Sequence, residues 1–451
     1  MNKVLVFFFI FFFITNCSLD KKTGLWTQDE KTELKKIKIE ESSLKELFLK
    51  EEANIKEFNP NLKIEFKFKP KNNYLNTTDN NNTFVNYNGS LKKVSKYKFK
   101  RIKNFNYYEL DLIFDKQNII FFDNKGTIFK FNKQSKLIWK KNIYNKRQKK
   151  NRPILFFSNN ESKLVVADNI AKYYLIDINT GELIWEKRHT SSFNSEIKIY
   201  KDKFFVVDLQ NVLRCYSLID GTELWNLPTD KTFVKSQKRL SLVIADDKVF
   251  FNNSMGDISS VDIKTGNLLW QIPTQSDAIY EDVFLLKTSD MIAAPNSILF
   301  SNNQNEFFSI NMQSGTVDWK AKINSSIKST LIENLIFSIT MEGFLVVTDY
   351  RTGNIIRITD IFTSFIRDYL LDFKEAVRTK MLPIGFIVGT KNVYLTTDHG
   401  LLIVIDILTG KTQSVLKFAK FKNRSKTKLS RPFALNKNLF IIKNNAILKL
   451  N

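Results

Sequence analysis

The sequence is poor in the side chains that most often hold metals or carry nucleophilic chemistry: its 451 residues include two histidines and two cysteines. His189 reads as a loop residue and His399 as part of a distant β-turn, so neither belongs to a metal-ligand motif. Cys17 and Cys215 offer no vicinal pair and no disulfide framework, and the core has to hold itself without covalent staples. No nucleophile with an adjacent base stands out, while the scattered Asp and Glu leave a carboxylate dyad open. The one long apolar run, Val4 to Ile14, is too short to span a bilayer comfortably. Acids are also short, 46 against 69 Lys and Arg, for a formal charge of +23. Such an excess ordinarily points to nucleic acid or an anionic membrane surface. Here the cations are spread along the chain, and the heavy use of Lys, Asn, Ile and Phe matches an AT-rich coding sequence, so no nucleic-acid partner is expected.

What is present is a repeat. Leu175 to Trp185 reads Leu-Ile-Asp-Ile-Asn-Thr-Gly-Glu-Leu-Ile-Trp: an apolar run ends on Asp, a polar turn closes on Gly181, and a second strand-like run finishes on Trp185. Clear copies end at Trp225, Trp270 and Trp319, with Gly221, Gly266 and Gly315 in their turns. A weaker copy ends at Trp139 with Gln134-Ser135 in the turn, and two more, around Gly353 and Gly410, lack the Trp. The Gly supplies the positive φ of the reversal, the Asp accepts hydrogen bonds from the turn, and the Trp offers a flat face and an indole N–H to a neighbouring repeat. Periodicity assigns these residues to architecture instead of catalysis.

The turn glycines from Gly181 to Gly410 are 40, 45, 49, 38 and 57 residues apart. A second reversal, marked by Gly126, Gly256, Gly343 and Gly400, precedes the Asp turn, so each repeat holds at least three strands with room for a fourth. Four strands in roughly 40 to 45 residues is the size of a propeller blade. Asn438 to Asn451 begins an eighth repeat and stops before its last strand. Leu91 to Lys103, with Val94, Tyr97 and Phe99 alternating, can supply that strand and close the ring without an open apolar edge. The expected fold is therefore all-β, an eight-bladed β-propeller of four-stranded antiparallel blades over residues 91–451. The 57-residue interval carries its surplus in 362–381, where Ile366, Tyr369, Leu370, Phe373 and Val377 follow helical spacing. A short helical insertion is expected there, packed on its own blade or against an acidic partner or anionic head groups.

Residues 1–16 read as an export signal, with Lys3 ahead of the apolar run. Ile14-Thr15-Asn16-Cys17 resembles the lipobox of bacterial lipoproteins, in which the cysteine is diacylated; an ordinary secretory signal is the alternative. Ser18 after the cysteine implies, by the same resemblance, the outer membrane. Residues 17–90 are expected to form a tether. Within it Glu30 to Phe58 allows a narrow amphipathic helix, either solvated or docking, and Lys71 to Thr83 reads as an Asn-rich linker.

The Asp-x-x-Thr-Gly-x-x-x-Trp unit, seen in Asp177 to Trp185 and Asp262 to Trp270, resembles the repeat of propellers related to pyrroloquinoline quinone dehydrogenases. With a lipobox, eight blades and no further module, the chain is similar to the BamB lipoproteins of the β-barrel assembly machinery. That resemblance implies a non-enzymatic scaffold on the periplasmic face of the outer membrane that assists insertion and folding of outer-membrane proteins. No cofactor is implied. The implied partners are the barrel-forming subunit, unfolded precursors and, through a lipid on Cys17, the membrane. It also implies partner-binding loops at Thr232-Phe233-Val234-Lys235 and Ser289-Asp290-Met291-Ile292. Phe233, Val234, Lys235, Ser289 and Asp290 are the candidates, apolar anchors beside charge being suited to a hot spot. The dehydrogenases of the wider family hold a quinone and a metal at the ring centre, with acidic ligands and often a vicinal cysteine pair. A periplasmic quinoprotein or ligand-binding propeller is thus the competing expectation, although neither feature is recognisable here.

Overall fold

The computed structural model describes residues 56–65, 82–102, 110–229, 235, 238–274, 287–363, 381–418 and 428–451. Their strands form eight separate four-stranded antiparallel sheets, seven of them built from four consecutive strands in chain order. These are the blades of an eight-bladed propeller. Blades 1 to 4 run over 113–141, 155–188, 198–228 and 242–272; blades 5 to 7 over 292–321, 330–360 and 383–417. Blade 8 takes Leu429–Leu435, Asn438–Lys443 and Ala446–Leu450 from the C-terminus. Its outermost strand is Lys93–Lys98, antiparallel to Ala446–Leu450 with Tyr97 opposite Ile447. The two ends of the chain therefore close the ring, as the unfinished eighth repeat implied.

Residue type explains the layering. Inner strands carry near-continuous apolar runs such as Phe-Phe-Val-Val at 204–207, wholly buried because each sheet is packed on both faces. The outer strand alternates instead: in Leu183–Arg188 every second residue is exposed. That is the pattern of a half-buried strand with a free edge.

Three features depart from the pattern of the sequence. The outer strand does not end at the Trp; in blade 2 it continues from Trp185 to Arg188. In blades 1 to 7 the register between third and fourth strands shifts just before this position, which marks a β-bulge. In blades 1 to 4 the bulged residue is Ile138, Ile184, Leu224 or Leu269, each about half exposed. A bulge adds local twist, and it needs no marker residue that a repeat motif would show.

The third departure concerns the N-terminal side, where the packed body begins upstream of residue 91. Residues 56–65 lie along the outer edge of blade 6. Phe58 exchanges backbone hydrogen bonds with Ile358 at 3.1 and 2.9 Å, and the Ile64 N–H donates to the Leu408 carbonyl of blade 7 at 2.9 Å. Farther along, Val85 and Tyr87 are fully buried, and the Val85 N–H donates to the Val388 carbonyl at 2.9 Å. The Asn82 amide reaches the Leu331 carbonyl at 2.8 Å, so this segment touches the innermost strands of both blade 6 and blade 7. Phe58, the end of the expected amphipathic helix, is thus in a β-bridge. Residues 30–55 of that helix, residues 71–81 of the Asn-rich linker and residues 364–380 of the expected insertion lie outside the described residues.

Candidate functional site

At the seams between blades the repeat residues meet. The Trp139 ring lies over Gly181 of the next blade, and its Nε1 donates to the Ile178 carbonyl at 3.1 Å. The same contact recurs for Trp185 with Leu218, Trp225 with Ile263, Trp270 with Met312 and Trp319 with Tyr350, at 2.9 to 3.3 Å. Gly181 is constrained twice. Its φ of +77° is unfavourable for an L side chain, and a Cβ there would sit 2.7 Å from Cδ2 of Trp139. The Asp of the unit caps its own turn, with Asp177 Oδ1 accepting from the N–H groups of Asn179 and Thr180. Backbone and hydroxyl hydrogen bonds of this kind hold the carboxyls of Asp177, Asp220 and Asp262 below the usual range.

Blade 6 has no Trp, yet its seam is built the same way. Arg357 stands four residues after Gly353, as Trp185 does after Gly181. It is fully buried, and its guanidinium donates to the carbonyls of Ile407 and Leu408 in blade 7, beside Gly410. A third bond, 3.0 Å long, reaches the Leu62 carbonyl of the N-terminal segment. Burial lowers its pKa to about 10, which leaves it charged at neutral pH. The signal for this residue is its spacing from the turn glycine, since its type departs from the Trp of the motif.

The ring centre holds a charged cluster drawn from six blades. Arg239 pairs with Asp111, with Glu196 at 3.2 Å and with Asp290 at 3.4 Å. Lys328 reaches Asp290 at 3.1 Å and Glu196 at 3.7 Å, and Arg431 reaches Asp111 at 2.7 Å. All these side chains are buried or nearly so. Burial by itself would raise the three carboxyls, but the guanidinium and ammonium groups around them win. Asp111 is held down to about 2, and Glu196 and Asp290 are also lowered. A buried ion pair is weak evidence for net stability; what these contacts do is join blades at the axis, with Arg239–Asp111 and Lys328–Glu196 linking blades that are not neighbours in the ring.

A quinone with its metal does not fit this centre. All three carboxylates already face cations, and among the described residues no three His, Cys, Asp or Glu side chains gather as a metal site. Cys215 is buried in an inner strand of blade 3, where burial pushes its thiol up to about 12. His189 and His399 lie in different blades, the latter beside Asp398 at 2.7 Å.

Of the residues named from sequence, Asp290 joins this cluster, and Ser289 beside it is equally buried, each 3 % exposed. The Ser289 hydroxyl accepts from the Ser301 N–H at 3.0 Å. Neither is on open surface. Lys235 is exposed in the loop between blades 3 and 4, whereas Phe233, Val234 and Cys17 lie outside the described residues.

The model of one protein family, outer membrane protein assembly factor BamB, matches residues 124–359, just over half of the chain. The chain belongs to the BamB family. Among solved structures, BamB from Moraxella catarrhalis is similar at 14 % identity and a TM-score of 0.62, covering 80 % of this chain and 99 % of its own. The quinohemoprotein alcohol dehydrogenase from Comamonas testosteroni is similar at 8 % identity and a TM-score of 0.60, with 82 % and 79 % covered. At these identities the likeness is one of fold. No curated protein sequence matches. In this BamB-family ring, the Trp and Arg seams join neighbouring blades and the ion pairs fill the centre.

Proposed function

We propose that this BamB-family ring is a non-enzymatic scaffold subunit of the outer-membrane β-barrel assembly machinery, held on the periplasmic face of the outer membrane by a lipid on Cys17. The observation that carries this is the filled centre. Where an enzyme of the wider fold would place cofactor and metal, this chain has carboxylates already committed to Arg239, Lys328 and Arg431. Recognition is then left to the loops between blades, and the stretch ending at Lys235 supplies the partner contact through Phe233 and Val234. Ser289 and Asp290 act from below the surface, shaping the next loop through the central cluster. Precursor chains are handed on by the assembly machinery with the ring as its spacer.

A pull-down with tagged chain from gently solubilised outer membrane tests this reading. Recovery of the barrel-forming subunit, reduced by Phe233→Ala with Lys235→Glu, is the expected result. Quinone absorbance in the purified chain without recovery of that subunit would overturn it in favour of a quinoprotein.

A further inference from the structure

The fold sets one cationic run of the sequence on a single face of the ring. In an antiparallel blade the second turn and the loop to the next blade lie at one end of the strands, and the first and third turns at the other. Backbone bonds show both pairings: Phe418 N–H donates to Gly400 O at 3.0 Å on the first side, and Ile178 N–H donates to Ser162 O at 2.8 Å on the second. The Asp turns, among them Asp177, Asp220 and Asp262, therefore all lie on the second side. The first side, the interblade face, receives the loop between blades 1 and 2.

That loop is strongly basic. From Lys140 to Arg152 it carries seven Lys or Arg, and no acid occurs between Asp123 and Glu161. It is an ordered element. Tyr144 is buried with its hydroxyl donating to Asp168 at 2.6 Å, and the helix Lys146–Lys150 is capped reciprocally by Asn145 and Gln148. Lys146, Arg147 and Lys150 are exposed, and the Asn142 amide ties the loop to the Lys125 carbonyl, bringing a further exposed cation alongside. The acids packed near its base are occupied: Asp168 accepts from Tyr144, and Glu186 pairs with Lys172 at 2.6 Å.

We propose that the basic edge of this interblade face, at blades 1 and 2, rests on an anionic phospholipid leaflet while the loop at Lys235 remains for the protein partner. Two observations favour lipid over a protein partner. The patch is lysine-rich and shows no exposed aromatic anchor, Tyr144 being turned inward, whereas protein interfaces favour aromatics and Arg and are depleted in Lys. Juxtamembrane lysine clusters act through the diffuse field of acidic head groups and need no shaped pocket. In addition, the chain enters the ring from this side. The segment beginning at Lys56 runs antiparallel to Ile355–Asp360, with Glu57 accepting from the Asp360 N–H at 3.1 Å where that strand meets the interblade loop. A basic patch adds electrostatic attraction to acidic head groups beside whatever the N-terminal anchor supplies. The charge effect itself does not depend on acylation of Cys17.

The test is partition of the full chain onto vesicles of phosphatidylcholine, alone or mixed with phosphatidylglycerol, across a salt series. The expected result is a preference for the mixed vesicles that fades with salt. The triple variant Lys146→Gln, Arg147→Gln, Lys150→Gln should lower partition onto them on the order of a hundredfold. Lys133→Gln, Lys136→Gln, Lys264→Gln removes the same charge from the opposite face and should leave the preference intact. Equal losses in both variants would reduce the effect to net charge and overturn the proposal. So would equal wild-type partition onto both vesicles; if the interblade variant then weakened recovery of the barrel-forming subunit, the patch would serve a protein. Binding to neutral vesicles reports the N-terminal anchor alone, which keeps failure of lipidation distinct from failure of the patch.

Discussion

Gly181→Ala isolates what the repeat glycine does. At φ +77° a Cβ costs roughly 1 kcal/mol of backbone strain. It would also stand 2.7 Å and 2.9 Å from Cδ2 and Cε3 of Trp139, a ring that is 9 % exposed and cannot swing into solvent without leaving its seam. Displacing the ring weakens the 3.1 Å bond from Nε1 to the Ile178 carbonyl, worth about 1 kcal/mol, and loses part of the packing of the indole. The single substitution should therefore cost about 3 kcal/mol in all, and Trp139→Ala about 3 to 5 kcal/mol. In the double variant the new Cβ faces the space vacated by the ring, so only the backbone strain is added to the Trp139→Ala loss. The two changes should be sub-additive by about 2 kcal/mol. Urea unfolding of the four proteins, followed by circular dichroism and fluorescence with coincident transitions, measures the coupling. Additive losses, or a Gly181→Ala cost no larger than the strain, would refute the claim that the ring selects the glycine. The corresponding turn of blade 1 already points this way: there the preceding outer strand, Lys93–Lys98, has no Trp, and Ser135 occupies the turn at φ +65°.

Arg357→Trp should keep the seam between blades 6 and 7 but leave the Leu62 carbonyl without its donor; hydrogen exchange should then rise over residues 56–65 while the blades stay protected. Arg357→Lys should be more harmful, costing about 2 kcal/mol, since an ammonium cannot span the carbonyls that the guanidinium bridges. The central cluster predicts an acid limb. Asp111 has a folded pKa near 2, below the unfolded value, so its stabilisation is complete above about pH 4 and is lost as pH falls through about 2. Asp111→Asn should lower stability at neutral pH by about 2 kcal/mol and flatten that limb in an acid-unfolding series. An unchanged limb would place the acid sensitivity elsewhere.

Much of the fold was legible because each blade repeats one solution to one local problem. The Asp, Gly and Trp mark a turn and a seam at fixed spacing, and the unfinished eighth repeat left a single strand for the N-terminal side to supply. The Arg357 seam was legible only through position, since its residue type broke the motif. The bulges were silent because any residue can occupy one, and here Ile or Leu does in four blades. The packing of the segments at 56–65 and 82–87 is silent in the sequence because their contacts are to residues some three hundred positions away.

By itself the sequence determined the number of blades, the closure of the ring and the family, since these rest on local turn chemistry and on periodicity. Only the tertiary structure decided what stands at the centre and what stands on each face. Asp111, Glu196, Arg239, Asp290, Lys328 and Arg431 come from distant repeats and carry no shared motif. They become one cluster because each lies at the inner edge of its blade, and the ring brings those edges to a common axis. The same closure turns every interblade loop to one side, which is how the cationic run at 140–152 comes to stand on one face of the ring.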